Sequence, residues 1–172
     1  MSSIHVYRIS ITDLETDAVV NAANSGLRAG GGVCGAIFRE AGYDRLTAEC
    51  AAYGHCDTGS AVITSGLRLR AKYIIHAVGP IYQDGHHNER ELLYSAYQSA
   101  LKLAVQYDCR SVSFPLISAG IYGYPVDEAW TVATEACSDF IRSHPETDIK
   151  IIFAVLNDDM LAKGKAALQK VQ

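Results

Sequence analysis

Apolar and β-branched residues gather in short runs at 4–9 (IHVYRI), 18–20 (AVV), 61–64 (AVIT), 73–78 (YIIHAV), 111–117 (SVSFPLI) and 149–155 (IKIIFAV). Runs of this length and make-up predict strands. Between and after them, apolar positions recur every three or four residues over 33–54, 89–107, 127–143 and 159–170, which predicts helices. In the helix over 89–107, Leu92, Leu93, Ala96, Ala100, Leu101, Ala104 and Val105 share one side, a face suited to packing on a sheet. Strands alternating with helices imply crossover connections, and these join parallel neighbours. The expected architecture is a layered α/β/α domain around a largely parallel sheet, with the first strand as the antiparallel member. The stretch Tyr82 to Asn88 (YQDGHHN) reads as the longest loop.

Composition limits what such a domain can do. A chain of 172 residues accommodates one domain, residues 1–172, with no linker at which to divide it. With 49% hydrophobic residues it can form a full core, which excludes disorder. The 15 Lys and Arg against 19 Asp and Glu leave a net charge of -4, which argues against a broad contact with nucleic acid or a membrane surface. Arg68-Leu69-Arg70-Ala71-Lys72, the densest basic stretch, has no interleaved aromatics and reads as an exposed approach to a strand. Cys34, Cys50, Cys56, Cys109 and Cys137 form no CxxC pair and are odd in number, as suits a reducing compartment. No export signal or membrane-length apolar run is read, so the expected location is the cytoplasm and the expected state a monomer.

Two segments break the strand-helix pattern, and each follows a strand. The first runs Asn21-Ala22-Ala23-Asn24 and then Gly30-Gly31-Gly32-Val33-Cys34-Gly35, opening straight into a helix. The second is Ile117-Ser118-Ala119-Gly120-Ile121-Tyr122-Gly123-Tyr124-Pro125, with a helix from about Asp127. In open α/β sheets, ligands sit beyond the carboxyl ends of strands, and the free N–H groups of a helix N-terminus attract phosphate. Glycines let the backbone approach such a group closely. Two such loops point to one shared phosphate site, which explains how an acidic chain can hold an anion. Neither loop matches GxxxxGK[ST] or GxGxxG, so a Walker-type hydrolase and a standard dinucleotide fold are not supported.

These residues, together with Asp17-Ala18-Val19-Val20, Thr58-Gly59-Ser60-Ala61 and His76-Ala77-Val78-Gly79-Pro80, resemble the macro domain family over nearly the whole chain, in particular its bacterial MacroD-like branch. The resemblance implies a three-layer α/β/α sandwich around a mixed sheet and ADP-ribose, free or on a modified protein or metabolite, as the binding partner. No cofactor or metal is implied. It places Asn24 against the distal ribose, the backbone of Gly32, Val33 and Cys34 along that ribose and the diphosphate, and Ser118, Ala119, Gly120, Ile121 and Tyr122 around the diphosphate. Tyr122 would close over the ribose, and Asn21 would brace the loop. Asn24 and Cys34 fall at the family's catalytic positions, although Cys34 stands where many active relatives carry aspartate. At the adenine end, Ser10 and Ile11 occupy a segment reading ISIT in place of GDIT, and Leu156 stands where an aromatic ring often stacks.

Two functions follow from the resemblance: a hydrolase of ADP-ribosyl esters of Asp, Glu or acetate, and a reader that binds ADP-ribose without turnover. A thiol at a helix N-terminus has the features of a nucleophile, but a neighbouring diphosphate opposes the thiolate, so Cys34 is read as a neutral lining group. His86-His87 reads as a solvated loop, since no second cluster offers metal-ligand spacing. His76 within an apolar strand, and Trp130 in a helix, read as core residues.

Overall fold

The computed structural model describes residues 1–172. Its strands are β1 (Ser3–Arg8), β2 (Ala18–Ala23), β3 (Ala61–Ser65), β4 (Tyr73–Val78), β5 (Ser111–Phe114) and β6 (Lys150–Val155). The helices are α1 (Gly32–Ala41), α2 (Tyr43–Tyr53), α3 (Glu89–Gln106), α4 (Val126–Ser143) and α5 (Asp158–Gln169). One six-stranded sheet runs in the order β1-β6-β5-β2-β4-β3. All neighbours are parallel except β3 and β4. The α/β/α class is as expected, but the antiparallel strand is not the first. β1 pairs with β6 in parallel, because nearly the whole chain separates them and any crossover is possible. β3 and β4 are joined only by residues 66–72, too short for a crossover, and so must form a hairpin.

Three boundaries moved for local reasons. The helical pattern over 33–54 divides at Gly42, whose φ of 115° lies in the region that favours glycine, ending α1 and starting α2. β5 stops at Phe114 because Pro115 has no N–H to offer a neighbour. β2 instead continues through Asn21 to Ala23, in register with His76 to Val78 of β4.

Side-chain alternation along the strands divides the core into two clusters. Ala18, Val20, Ile75, Ala77, Ile151 and Phe153 meet α3, α4 and α5, whereas Val19, Ala23, Ile74 and Val78 meet α1 and α2. Trp130 is fully buried in the larger cluster, as expected, with its ring edge-on to Phe153. It lies against Gly164 of α5, where a Cβ would come within 2.7 Å of Cη2 and 3.0 Å of Val6 Cγ1. Overpacking of this kind costs about 1–3 kcal/mol, against a helix-propensity gain of about 1. Gly164→Ala is therefore expected to lower stability by up to about 2 kcal/mol in urea unfolding, and a raised midpoint would show that Trp130 yields freely.

The loop over 82–88 is organised by Glu89, whose carboxylate accepts N–H groups from Gln83, Asp84, Gly85 and His87 at 2.7–3.1 Å. Burial alone would raise its pKa, but these bonds outweigh that and bring it down to about 2. Asp84 and His87 lie beside it, and the Asp84 carboxylate accepts from the His86 N–H and meets His87 Nδ1, each at 2.8 Å. These acceptors are thus engaged with the loop's own donors.

Candidate functional site

The carboxyl ends of β2, β4, β5 and β6 point to one edge of the sheet, and the loops that leave them enclose a cleft of about 460 Å³. Ala22, Ala23 and Asn24 form its floor at β2, with Gly79 at β4, and Gly30 to Cys34 and Pro115 to Tyr122 stand on its sides. Ala154 to Asn157 and Met160 close the end beyond β6. None of the lining residues is Lys, Arg, His, Asp or Glu.

What the lining offers instead is backbone. At the start of α1, the N–H groups of Gly32, Val33 and Cys34 donate to no protein acceptor, as the first turn of any helix requires. In the second loop the same holds for Ser118, Gly120, Ile121 and Tyr122. This loop keeps its shape through Ala119 N–H to Leu116 O, Gly123 N–H to Gly120 O and Tyr124 N–H to Ser118 O. Ser118 has a left-handed φ of 68°, and its hydroxyl donates to Pro80 O at 2.8 Å. Of Ser118, therefore, only the backbone is available to a ligand. Gly79 has no Cβ because one there would lie 2.3 Å from Ser118 Oγ, so this glycine seats the loop. Across the cleft, a Cβ on Gly31 would lie 3.6 Å from Ile121 Cδ1, which marks where the two loops nearly touch.

The side chains beneath α1 follow from strand register. Asn21 and His76 are partners on β2 and β4 and share the face toward α1. Asn21 Nδ2 lies 3.0 Å from His76 Nδ1, so Nδ1 accepts and Nε2 carries the proton, which it donates to Thr64 Oγ1 at 2.9 Å. Asn21 thus braces the site, and its Oδ1 is buried without a partner. The same amide reaches Cys34 Sγ at 3.6 Å, while that thiol points its proton at Arg28 O at 3.7 Å. Both contacts suit a neutral thiol: it accepts on one side and donates on the other. Tyr122 stands close enough that burial, and then Cys34, push its phenol above the ordinary range.

Asn24 is tied more tightly than expected. Its Nδ2 donates to Arg28 O at 2.8 Å and its Oδ1 accepts from Arg28 N–H at 3.0 Å, so it staples the loop leading to the glycines. One amide proton and one lone pair are left facing other partners. Gly32, Val33, Cys34, Ser118, Ala119, Gly120, Ile121, Tyr122 and Leu156 also line the cleft. Ser10 and Ile11 do not. Ser10 Oγ is turned to Thr12 Oγ1 at 3.1 Å, and Ile11 is buried under α1, though Ile9 N–H bonds Val155 O beside the cleft. Met160 and Asn157 were not read from the sequence; Asn157 caps α5 by accepting from Met160 N–H, a capping signal visible as Asn before Asp158-Asp159.

His76 is fully buried, and burial lowers its pKa to about 4. The unfolded chain takes up a proton near pH 6.5 and the folded one only near 4, so stability is complete above 6.5 and falls as the pH drops through this window. The loss attributable to His76 reaches about 3 kcal/mol at pH 4. A folded His76→Gln protein is expected to show a correspondingly shallower decline between pH 6.5 and 4 in urea titrations; equal slopes would mean that His76 titrates normally.

The fold and this backbone-lined cleft define a class. The family model described as the macro domain matches residues 20–133. The chain is 46% identical over 167 residues to a macro domain-containing protein of Chlorobaculum tepidum, covering 95% of this chain and 96% of that one. It is 49% identical over 147 residues to the O-acetyl-ADP-ribose deacetylase of Escherichia fergusonii, covering 83% and 82%. Among solved structures, the Trypanosoma brucei macrodomain in complex with ADP-ribose superimposes with a TM-score of 0.87 at 37% identity, covering 96% of this chain and 68% of that one. The chain belongs to the macro domain family.

Proposed function

We propose that the cleft binds ADP-ribose and that the protein hydrolyses ADP-ribosyl esters, releasing ADP-ribose from modified Asp or Glu side chains or acetate from O-acetyl-ADP-ribose. The observation that carries the reading is a cleft without charged side chains, flanked by two sets of unpaired N–H groups. Such an arrangement matches a diphosphate, which it can hold through dipoles and the positive end of α1. The relative named as an O-acetyl-ADP-ribose deacetylase and the macrodomain solved with ADP-ribose support the same reading.

Because the lining holds no carboxylate or imidazole, the chemistry relies on positioning. Asn24 orients the distal ribose, and Tyr122 covers it. For an ester at the anomeric carbon, water held between the ribose and the ligand's own diphosphate attacks that carbon. Its oxygen forms the new bond, the ester carboxylate departs with the bonding electrons, and the water's proton passes to solvent by way of the diphosphate. Positioning of this kind can supply several kcal/mol of barrier lowering. The test is single-turnover release of ADP-ribose from a glutamate-modified peptide. Time-dependent release is expected; tight binding without release would make the protein a reader.

A further inference from the structure

A second cavity, of about 310 Å³, lies behind the diphosphate loop, between the 82–88 loop and the first turns of α3 and α4. Its walls include Tyr82, Tyr124, Glu89, Arg90, Glu128 and Thr131. Tyr82 and Tyr124 meet edge to face, with ring centroids 4.9 Å apart. Tyr124, which lines this cavity, is only 5% exposed, yet its hydroxyl makes no hydrogen bond, and neither does that of Tyr82. Glu128 has neither a hydrogen-bond nor an ion-pair partner. By contrast, the Glu89 carboxylate is held by loop N–H groups, and Arg90 donates to Glu135.

We propose that this cavity is a second binding site that takes an alkylammonium group, the side chain of a lysine in a bound polypeptide. Each free group on its walls matches one property of that ligand. Glu128 supplies the charge, the Tyr124 hydroxyl a free acceptor for an ammonium N–H, and the two rings an aromatic surface that attracts a cation. An anion is disfavoured because the one lining cation, Arg90, is already paired. A metal ion is disfavoured because both oxygens of Glu89 are engaged by N–H groups. After burial, the acidic neighbours Glu128, Glu89 and Asp84 raise the Tyr82 phenol; Glu128 acts likewise on Tyr124, opposed there by Arg90, so the local field is negative.

Position links the cavity to the first cleft. Tyr82 N–H bonds Tyr122 O at 2.8 Å, and Tyr122 faces the cleft while Tyr124, two residues on, faces the cavity. Tyr122 and Tyr124 flank Gly123, whose φ of 72° turns the chain, so cleft and cavity lie on adjoining sides of one loop and a polypeptide modified at the cleft would run past the cavity. That link to a substrate rests on the ADP-ribosyl reading; the affinity for an ammonium group does not.

The experiment titrates the protein, without ADP-ribose, with n-butylammonium, with Nα-acetyl-lysine methylamide and with neutral n-butanol at matched ionic strength, following backbone amide resonances. Both cations are expected to shift Tyr82, Tyr124 and Glu128 with millimolar dissociation constants, and butanol is not. Glu128→Gln, at an exposed position that leaves the fold intact, is expected to weaken both about three- to tenfold. Tyr124→Phe tests the hydroxyl acceptor and is expected to weaken them by a smaller factor. Equal shifts with butanol, no shifts at about 50 mM cation, or an unaltered Glu128→Gln protein would overturn the site. Binding of butylammonium without the lysine derivative would overturn the lysine assignment.

Discussion

In Gly120→Glu, affinity for ADP-ribose is expected to fall about a hundredfold or more while the protein keeps its fold. A Cβ at Gly120 meets nothing within 4 Å, and its φ lies outside the left-handed region, so the substitution costs the unliganded protein little. The carboxylate, however, stands among the unpaired N–H groups of Ser118, Ile121 and Tyr122 that a diphosphate would occupy. Like charges brought together at a binding site cost several kcal/mol. Removing any single Lys or Arg should change affinity little, since none lines the cleft. Calorimetry on a protein with an unchanged unfolding midpoint is the check, and parent-like affinity would place the diphosphate elsewhere.

The second large effect separates Asn24 from Cys34. Single-turnover hydrolysis is expected to drop about a hundredfold in Asn24→Ala but to stay within about tenfold in Cys34→Ala. Asn24 acts twice on this proposal: it faces the cleft, where it would orient the ribose, and it staples Arg28 through both amide atoms, so alanine would lose that contact and loosen the approach to Gly30. Cys34 makes only long contacts, 3.6 Å to Asn21 and 3.7 Å to Arg28 O, and its proton points at a carbonyl rather than at a substrate. A thiol so placed is poorly suited to act as a base. Collapse of activity in Cys34→Ala with Asn24→Ala nearly normal would make the thiol the catalytic group.

Much of this site was legible because it is made of local signals. Glycines between a strand and a helix occur where a backbone must approach a ligand, and both loops lie where the sequence put them, at Gly30 to Cys34 and Ser118 to Tyr122. The sandwich was legible for a similar reason, as strand and helix periods alternate clearly along the chain. What escaped depends on pairing across the sequence. The direction of β1 is decided by β6, about 150 residues away, and no local pattern carries it. The Asn21 and His76 contact follows from a register set by tertiary packing. Gly42 was visible as a letter, but the apolar period runs through it, so only its φ reveals two helices. The Asn24 staple to Arg28 depends on how the 24–28 loop folds back on itself, which no residue pattern there announces. Ser10 and Ile11 show the converse: a motif position carried over by alignment does not decide which way a side chain turns.

The central claim, that the cleft between the two glycine loops is an ADP-ribose site, is tested most directly by calorimetric titration of the unmodified protein with ADP-ribose and AMP. The loops offer unpaired donors that two phosphates would take, and Asn24 and Tyr122 line the part where a second ribose would lie, whereas the end beyond β6, where an adenine would lie, offers only Leu156, Asn157 and Met160. ADP-ribose is therefore predicted to bind at least tenfold more tightly than AMP, a difference of about 1.4 kcal/mol or more. AMP binding as tightly as ADP-ribose would contradict the account.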